Sequence, residues 1–185
     1  MTDELARAEL FFVEFGHTYI HGNVLGALNK KTPDILFLHG NTPSEEASDF
    51  FLLRQLLLRQ SGISSCAFDF VGHGNTGGDW AQSSLSHRTQ QAADIVNACF
   101  DSQPFTVVAV GMGAYTAIKL SELFPIANLV LVMPSVYATE VYSTCFGEEE
   151  AYSAVNLPMH WERTDAWSVI EKFRGGISIV GASED

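Results

Sequence analysis

The chain has 185 residues, with 22 acidic against 10 basic side chains and a formal net charge of −12. Nucleic-acid binding needs a cationic footprint, and nothing beyond the pair Lys30-Lys31 offers one; anionic membrane surfaces are disfavoured for the same reason. With 46% hydrophobic and 17% charged residues the composition excludes a disordered chain and predicts one globular domain, with at most a small insertion.

No apolar run approaches the ~18 residues of a membrane span. The opening Met1-Thr2-Asp3-Glu4-Leu5 has no basic segment followed by an apolar one. Cys66, Cys99 and Cys145 are odd in number and widely spaced, so a reduced, cytoplasmic setting is expected.

Residues 10–15 and 17–28 read as two strands joined near Gly16, rich in aromatic and β-branched side chains. Residues 34–38 form a short continuous apolar run, the mark of a strand buried on both faces, which stops at His39-Gly40-Asn41. Thr42-Pro43-Ser44-Glu45 then offers a capping residue, a proline for the first helical position and a capping-box acid. A helix is therefore expected to start there and run through Phe50, Leu53 and Leu57 towards Gly62. Residues 66–70 are the next strand, followed by a loop holding Gly72, Gly74, Gly77 and Gly78.

Ala92, Ile95, Val96, Cys99 and Phe100 repeat with helical spacing. Residues 106–110 read as a strand, 114–124 as a helix ended by Pro125, and 128–133 as a strand ended by Pro134. From 135 to 173 aromatic residues and acids mix without a clear period, and a small, mostly helical insertion is expected. Residues 177–180 are the last strand. The order of two strands and then βαβαβαβ predicts an α/β fold, a mostly parallel sheet with helices on both faces. The expected division is a core over 1–134, the insertion over 135–173 and a last core strand with its loop over 174–185.

Two glycine motifs carry the chemistry. Gly72-His73-Gly74-Asn75-Thr76-Gly77 matches G-x-G-x-x-G, but Gly78-Asp79-Trp80 delays any helix, so the context of a nucleotide site fails. Gly111-Met112-Gly113-Ala114-Tyr115-Thr116 lies directly between a strand and a helix. Thr116 holds the third glycine's place, and the following strand ends in Met133-Pro134 without an acid for a ribose. The same turn suits a nucleophile elbow, whose tightness demands small residues two before and two after its centre. Ala109 and Gly113 meet this about Gly111, whereas a centre at Gly113 would set Tyr115 at a crowded position.

In sequence order these motifs resemble the α/β-hydrolase superfamily, in particular its small bacterial esterase-like and acyl-hydrolase-like members, over nearly the whole chain. Leu36-Phe37-Leu38-His39-Gly40 is similar to the family's strand ending in an HG oxyanion loop. Phe68 to Thr76 is similar to its D-x-x-G-H-G-x-S loop, and Val107 to Ala114 to the elbow pattern G-x-S-M-G-G. Residues 128–134 and 177–181 resemble the two following strands.

The resemblance implies an attacking serine at position 111, a histidine base, an orienting carboxylate and two backbone N–H groups that hold an oxyanion. By position the oxyanion donors are the amides of Asn41 and Met112, the orienting acid is Glu184 or Asp185, and His39, Gly40 and Tyr115 border the substrate pocket. Two departures stand out. Gly111 occupies the nucleophile position without a side chain, and the family's last strand, helix and catalytic histidine have no counterpart among the 185 residues.

The expected reading is a serine-hydrolase scaffold for ester or acyl bonds that is catalytically incompetent in this chain. The alternatives are an active esterase represented by a shortened, Ser-to-Gly form, and a nucleotide-binding module. No cofactor and no metal are expected, since no pair of histidines has ligand-like spacing with a carboxylate. His39 and His73 are expected to shape loops, His160 to pack in the insertion, and His17, His21 and His87 to lie at the surface. Asp69 is expected to cap the Gly72 loop. The last strand is expected to leave an apolar edge, covered by the insertion or paired with a second copy of the chain.

Overall fold

A computed structural model describes residues 8–26, 32–149 and 160–182. Seven strands form one sheet in the order β1-β2-β4-β3-β5-β6-β7. Strands β1 (Ala8–Phe15) and β2 (Thr18–Leu25) make an antiparallel hairpin, closed by Gly16 at φ 60°, a left-handed geometry that glycine adopts without steric cost. Strand β2 runs antiparallel to β4 (Ser65–Phe68). From β4 onward every pairing is parallel, through β3 (Ile35–Leu38), β5 (Phe105–Val110), β6 (Ile126–Val132) and β7 (Gly176–Val180). The fold class read from the sequence is the one observed.

Strand β3 is central because all four of its residues are buried, which a continuous apolar run requires. Leu36 and Leu38 face the larger core together with helices α2 (Leu85–Cys99) and α3 (Met112–Leu120). Ile35 and Phe37 face the opposite side, where Phe50 and half-buried Leu57 of the helix α1 region (α1, Phe51–Ser61) meet them. A short helix α4 (Ala166–Lys172) packs on α3, and its Ala166 and Val169 join the larger core with Tyr137 and Val141. The described parts of 135–173 thus pack into the main core, through α4 and the 3-10 turns Thr139–Val141 and His160–Arg163.

Four local expectations need correction. The first helix does not start at Thr42. Glu45 closes a turn instead, accepting the Thr42 N–H at 2.6 Å, and buried Asp69 takes the Ala47 N–H at 2.7 Å. A 3-10 turn over Ala47–Phe50 then leads into α1. The face is also displaced, for α1 buries Arg54 and Leu58 and leaves Leu52, Leu53 and Leu56 exposed. Helix α3 ends at Leu120 rather than Phe124, since the Ser121 hydroxyl donates to the Ile118 carbonyl at 2.7 Å and the chain turns. Finally, all five residues of β7 are exposed, so the described insertion does not cover that edge. Among the described residues no helix is long and apolar enough to cross a membrane.

Candidate active site

Gly111 links the tip of β5 to α3 with φ 52° and ψ −118°, a backbone conformation that L side chains rarely adopt. The bend is pinned on both sides. The Gly111 N–H donates to the Val132 carbonyl at 3.0 Å, and its carbonyl accepts from Ser135 and Ala114, both at 3.1 Å. A Cβ built at position 111 meets only the Gly40 Cα, at 3.8 Å, which is ordinary contact. Space for a side chain is therefore present where the residue has none. Gly113 is the opposite case: a Cβ there would come within 2.7 Å of the carbonyl oxygens of both Leu38 and His39, so its glycine is required for α3 to pack on the β3 tip.

The loop His39-Gly40-Asn41 is fixed from beneath. His39 is 2% exposed, and its Nδ1 faces the Gly40 carbonyl at 2.9 Å while its Nε2 faces the Phe70 N–H at 3.1 Å. Those partners require a donor at Nδ1 and an acceptor at Nε2, hence a neutral ring. Burial, then the Arg88 and His73 charges, lower its pKa to about 2. His39 is thus a loop-shaping residue, as its sequence position suggests, and its burial does not fit the pocket-lining role that the resemblance implies.

Arg88 of α2 supplies the second clamp. The residue is 1% exposed, and its Nη2 donates to the carbonyls of His39 (2.7 Å) and Gly40 (2.8 Å). Nη1 donates to Asn41 Oδ1 at 3.2 Å, and the plane lies over the Phe70 ring at 3.6 Å. Asn41 Oδ1 also accepts the Trp80 indole N–H at 2.9 Å, and Trp80 stacks on Phe146. The Asn41 side chain is thereby held, with its backbone amide next to Gly40. Met112 is the first residue of α3, where no carbonyl one turn earlier in the helix is available to its N–H. Both expected oxyanion donors belong to the loop and turn that approach each other at Gly40 and Gly111.

Several neighbours complete this end of the sheet. A Cβ on Gly40 would overlap the Glu45 carboxylate, so an acid is held against the HG loop. His73 is 3% exposed with its ring 4.8 Å from that of His39, and neither of its nitrogens has a hydrogen-bond partner among the described residues. Its pKa is lowered by burial and then by Arg88. The Glu45 backbone, at a geometry short of a hydrogen bond, and the Glu45 and Asp69 charges act the other way. Asp69 does bridge the glycine loop, accepting the Asn75 N–H at 2.8 Å, and it also ties that loop to Ala47.

Tyr115 does not border a pocket. It is fully buried and its hydroxyl donates to Asp165 Oδ1 at 2.7 Å, while Lys119 reaches Asp165 Oδ2 at 3.0 Å, which locks α4 to α3. Burial pushes the Asp165 carboxyl up, but its bonds to Tyr115 and Lys119 outweigh this and hold it below the usual range. Glu184 and Asp185 lie outside the described residues. Among the described residues there is no group of three or more His, Cys, Asp or Glu that could hold a metal. Sequence reasoning missed Arg88, although it lies on the same helical stripe as Ala92 and Ile95, where an arginine among buried alanines marks a side chain with specific hydrogen-bond acceptors.

Comparison with known proteins agrees with this fold. The model of the alpha/beta hydrolase family matches residues 35–180. No curated protein sequence matches the chain. Among solved structures, a thioesterase domain from the curacin biosynthetic pathway is 25% identical, with a TM-score of 0.61, over 72% of this chain and 47% of its own. A laboratory-evolved variant of potato epoxide hydrolase is 26% identical, with a TM-score of 0.56, over 68% of this chain and 39% of its own. A protein from Agrobacterium vitis S4 is 14% identical, with a TM-score of 0.60, and is matched over 95% of this chain and 90% of its own. The chain spans about half the length of the first of these relatives. With the family model matched from β3 to β7 and the elbow bend in place, this chain belongs to the alpha/beta hydrolase family.

Proposed function

We propose that this chain is a non-catalytic alpha/beta hydrolase that binds a small ester or acyl compound at the elbow. The observation that carries this reading is Gly111, a residue in elbow geometry with room for a side chain and none to attack with. Losing a nucleophile costs about 10⁴ to 10⁶ in rate, so turnover by the serine mechanism is not expected. Backbone donors do not depend on side-chain identity, so the amides of Asn41 and Met112 still suit a carbonyl or carboxylate oxygen. Among the described residues no histidine ring atom lies within 4 Å of the Cβ position at 111.

Labelling with a fluorophosphonate tests the reading directly. We expect no adduct on the parent chain and no hydrolysis of p-nitrophenyl acetate above buffer. Recovery of a phosphonylated serine would overturn it. The open space at 111 favours a second reading, a serine-bearing form of the same scaffold that is active. Labelling of Gly111→Ser by the same probe, absent from the parent, would support that form. A cytoplasmic setting remains part of the proposal, consistent with the reduced cysteines expected from their spacing.

A further inference from the structure

Arg54 of α1 is 1% exposed, and none of its hydrogen-bond partners among the described residues carries a charge. Its Nε donates to Ser65 Oγ at 2.9 Å, and its Nη2 donates to the carbonyls of Asn23 at 3.1 Å and Ser65 at 3.0 Å. A guanidinium has five N–H groups, and these three bonds leave the two on Nη1 without an acceptor among the described residues. Burial lowers its pKa to about 10, which still leaves it charged at neutral pH. A buried cation without a counter-charge is costly, and natural interiors pair such groups. This one faces a groove instead.

The groove has a volume of about 360 Å³ and runs between α1 and the β1–β2 hairpin. Such a volume lies at the small end of the roughly 300–1,000 Å³ range of small-molecule sites. Leu10, Phe12 and Phe51 give it apolar walls, and all three are exposed although each is large and hydrophobic. Asn23, also in the wall, buries its Oδ1 without a donor. Two acids border the groove, but neither serves Arg54: Asp69 engages its oxygens with the Ala47 and Asn75 N–H groups, and Glu46 accepts from the Ser48 hydroxyl.

We propose that this groove is a second ligand site, distinct from the elbow, which takes an amphipathic monocarboxylate. The carboxylate sits on Nη1 of Arg54 and supplies the missing counter-charge. The apolar body lies between Leu10, Phe12 and Phe51 and covers surface that water now wets. The proposal does not depend on the elbow being inactive.

The test is titration of the ¹⁵N-labelled chain with octanoate and, separately, with neutral octanamide, followed by amide chemical shifts. Octanoate is expected to shift residues of β1, β2 and α1 and to bind at least about tenfold more tightly than octanamide. Phe12→Ser, at an exposed wall position, is expected to weaken octanoate about fivefold while leaving the melting temperature in place. Arg54→Gln, where it folds, is expected to abolish the preference for the acid. Equal affinity for acid and amide, shifts confined to Gly111 and Met112, or no binding up to about 10 mM would each overturn the proposal.

Discussion

The Arg88 guanidinium donates to the His39 carbonyl at 2.7 Å, so a side chain from α2 sets the path of the loop that follows β3. Replacing Arg88 by methionine leaves that carbonyl, and Asn41 Oδ1 on its Arg88 side, without their donor. A buried acceptor left unpaired costs about 1–3 kcal/mol, so Arg88→Met is expected to lose about 2 kcal/mol in urea denaturation. Because Trp80 donates to the same Asn41 oxygen, its fluorescence should change in the folded variant. An unchanged midpoint and spectrum would show that the clamp does not hold the loop.

The two glycines of the elbow should respond differently to alanine. At 111 the only penalty is backbone strain at φ 52°, about 1–2 kcal/mol, since a Cβ has room. At 113 a Cβ collides with two carbonyl oxygens that belong to the β3 tip, so β3 and α3 must separate. Gly113→Ala should therefore cost about 3 kcal/mol or more. Thermal melts of the two variants side by side check the order, and an equal loss would contradict the packing described for α3.

Stability should fall in mild acid. His39 is neutral in the folded chain, with a pKa lowered to about 2 from 6.5 by burial, Arg88 and His73, and that of His73 is lowered too. Above pH 6.5 both rings are neutral whether folded or not, and they add no pH dependence. As pH falls below 6.5 the unfolded chain takes up protons that the folded chain refuses, so stability is lost. For His39 the slope is about 1.4 kcal/mol per pH unit. Urea midpoints at pH 7.5, 6.0 and 5.0 measure it. His39→Gln should flatten the profile although it lowers stability at pH 7.5.

Strand β7 should bring copies of the chain together. Ile179 is 66% exposed and Val180 51%, and the side of the strand away from β6 has no strand partner among the described residues. The expected result is a mass by light scattering that rises towards a dimer with concentration. Ile179→Lys should return it to the monomer. A parent chain that stays monomeric at about 1 mM would remove this expectation.

The order of strands and helices, the parallel sheet and the tight turn at Gly111 between β5 and α3 were legible in the sequence. Each rests on a local pattern: a four-residue apolar run, a helical stripe, or small residues spaced around a turn. The start of α1 was not legible, because Thr42 to Glu45 satisfies a capping rule while Asp69, far along the chain, takes the Ala47 N–H first. Nor was the burial of Arg54 in place of Leu53, since a helix with apolar residues on several sides gives no unique inward face. The resemblance places Tyr115 at the pocket border, whereas the fold buries it with its hydroxyl on Asp165, fifty residues away.

The amino-acid sequence by itself determined that position 111 has no side chain, because that is a matter of covalent identity. Only the tertiary structure decided that a side chain would fit there and not at 113. That difference comes from how closely the β3 tip approaches α3, a distance set by the packing of the whole sheet.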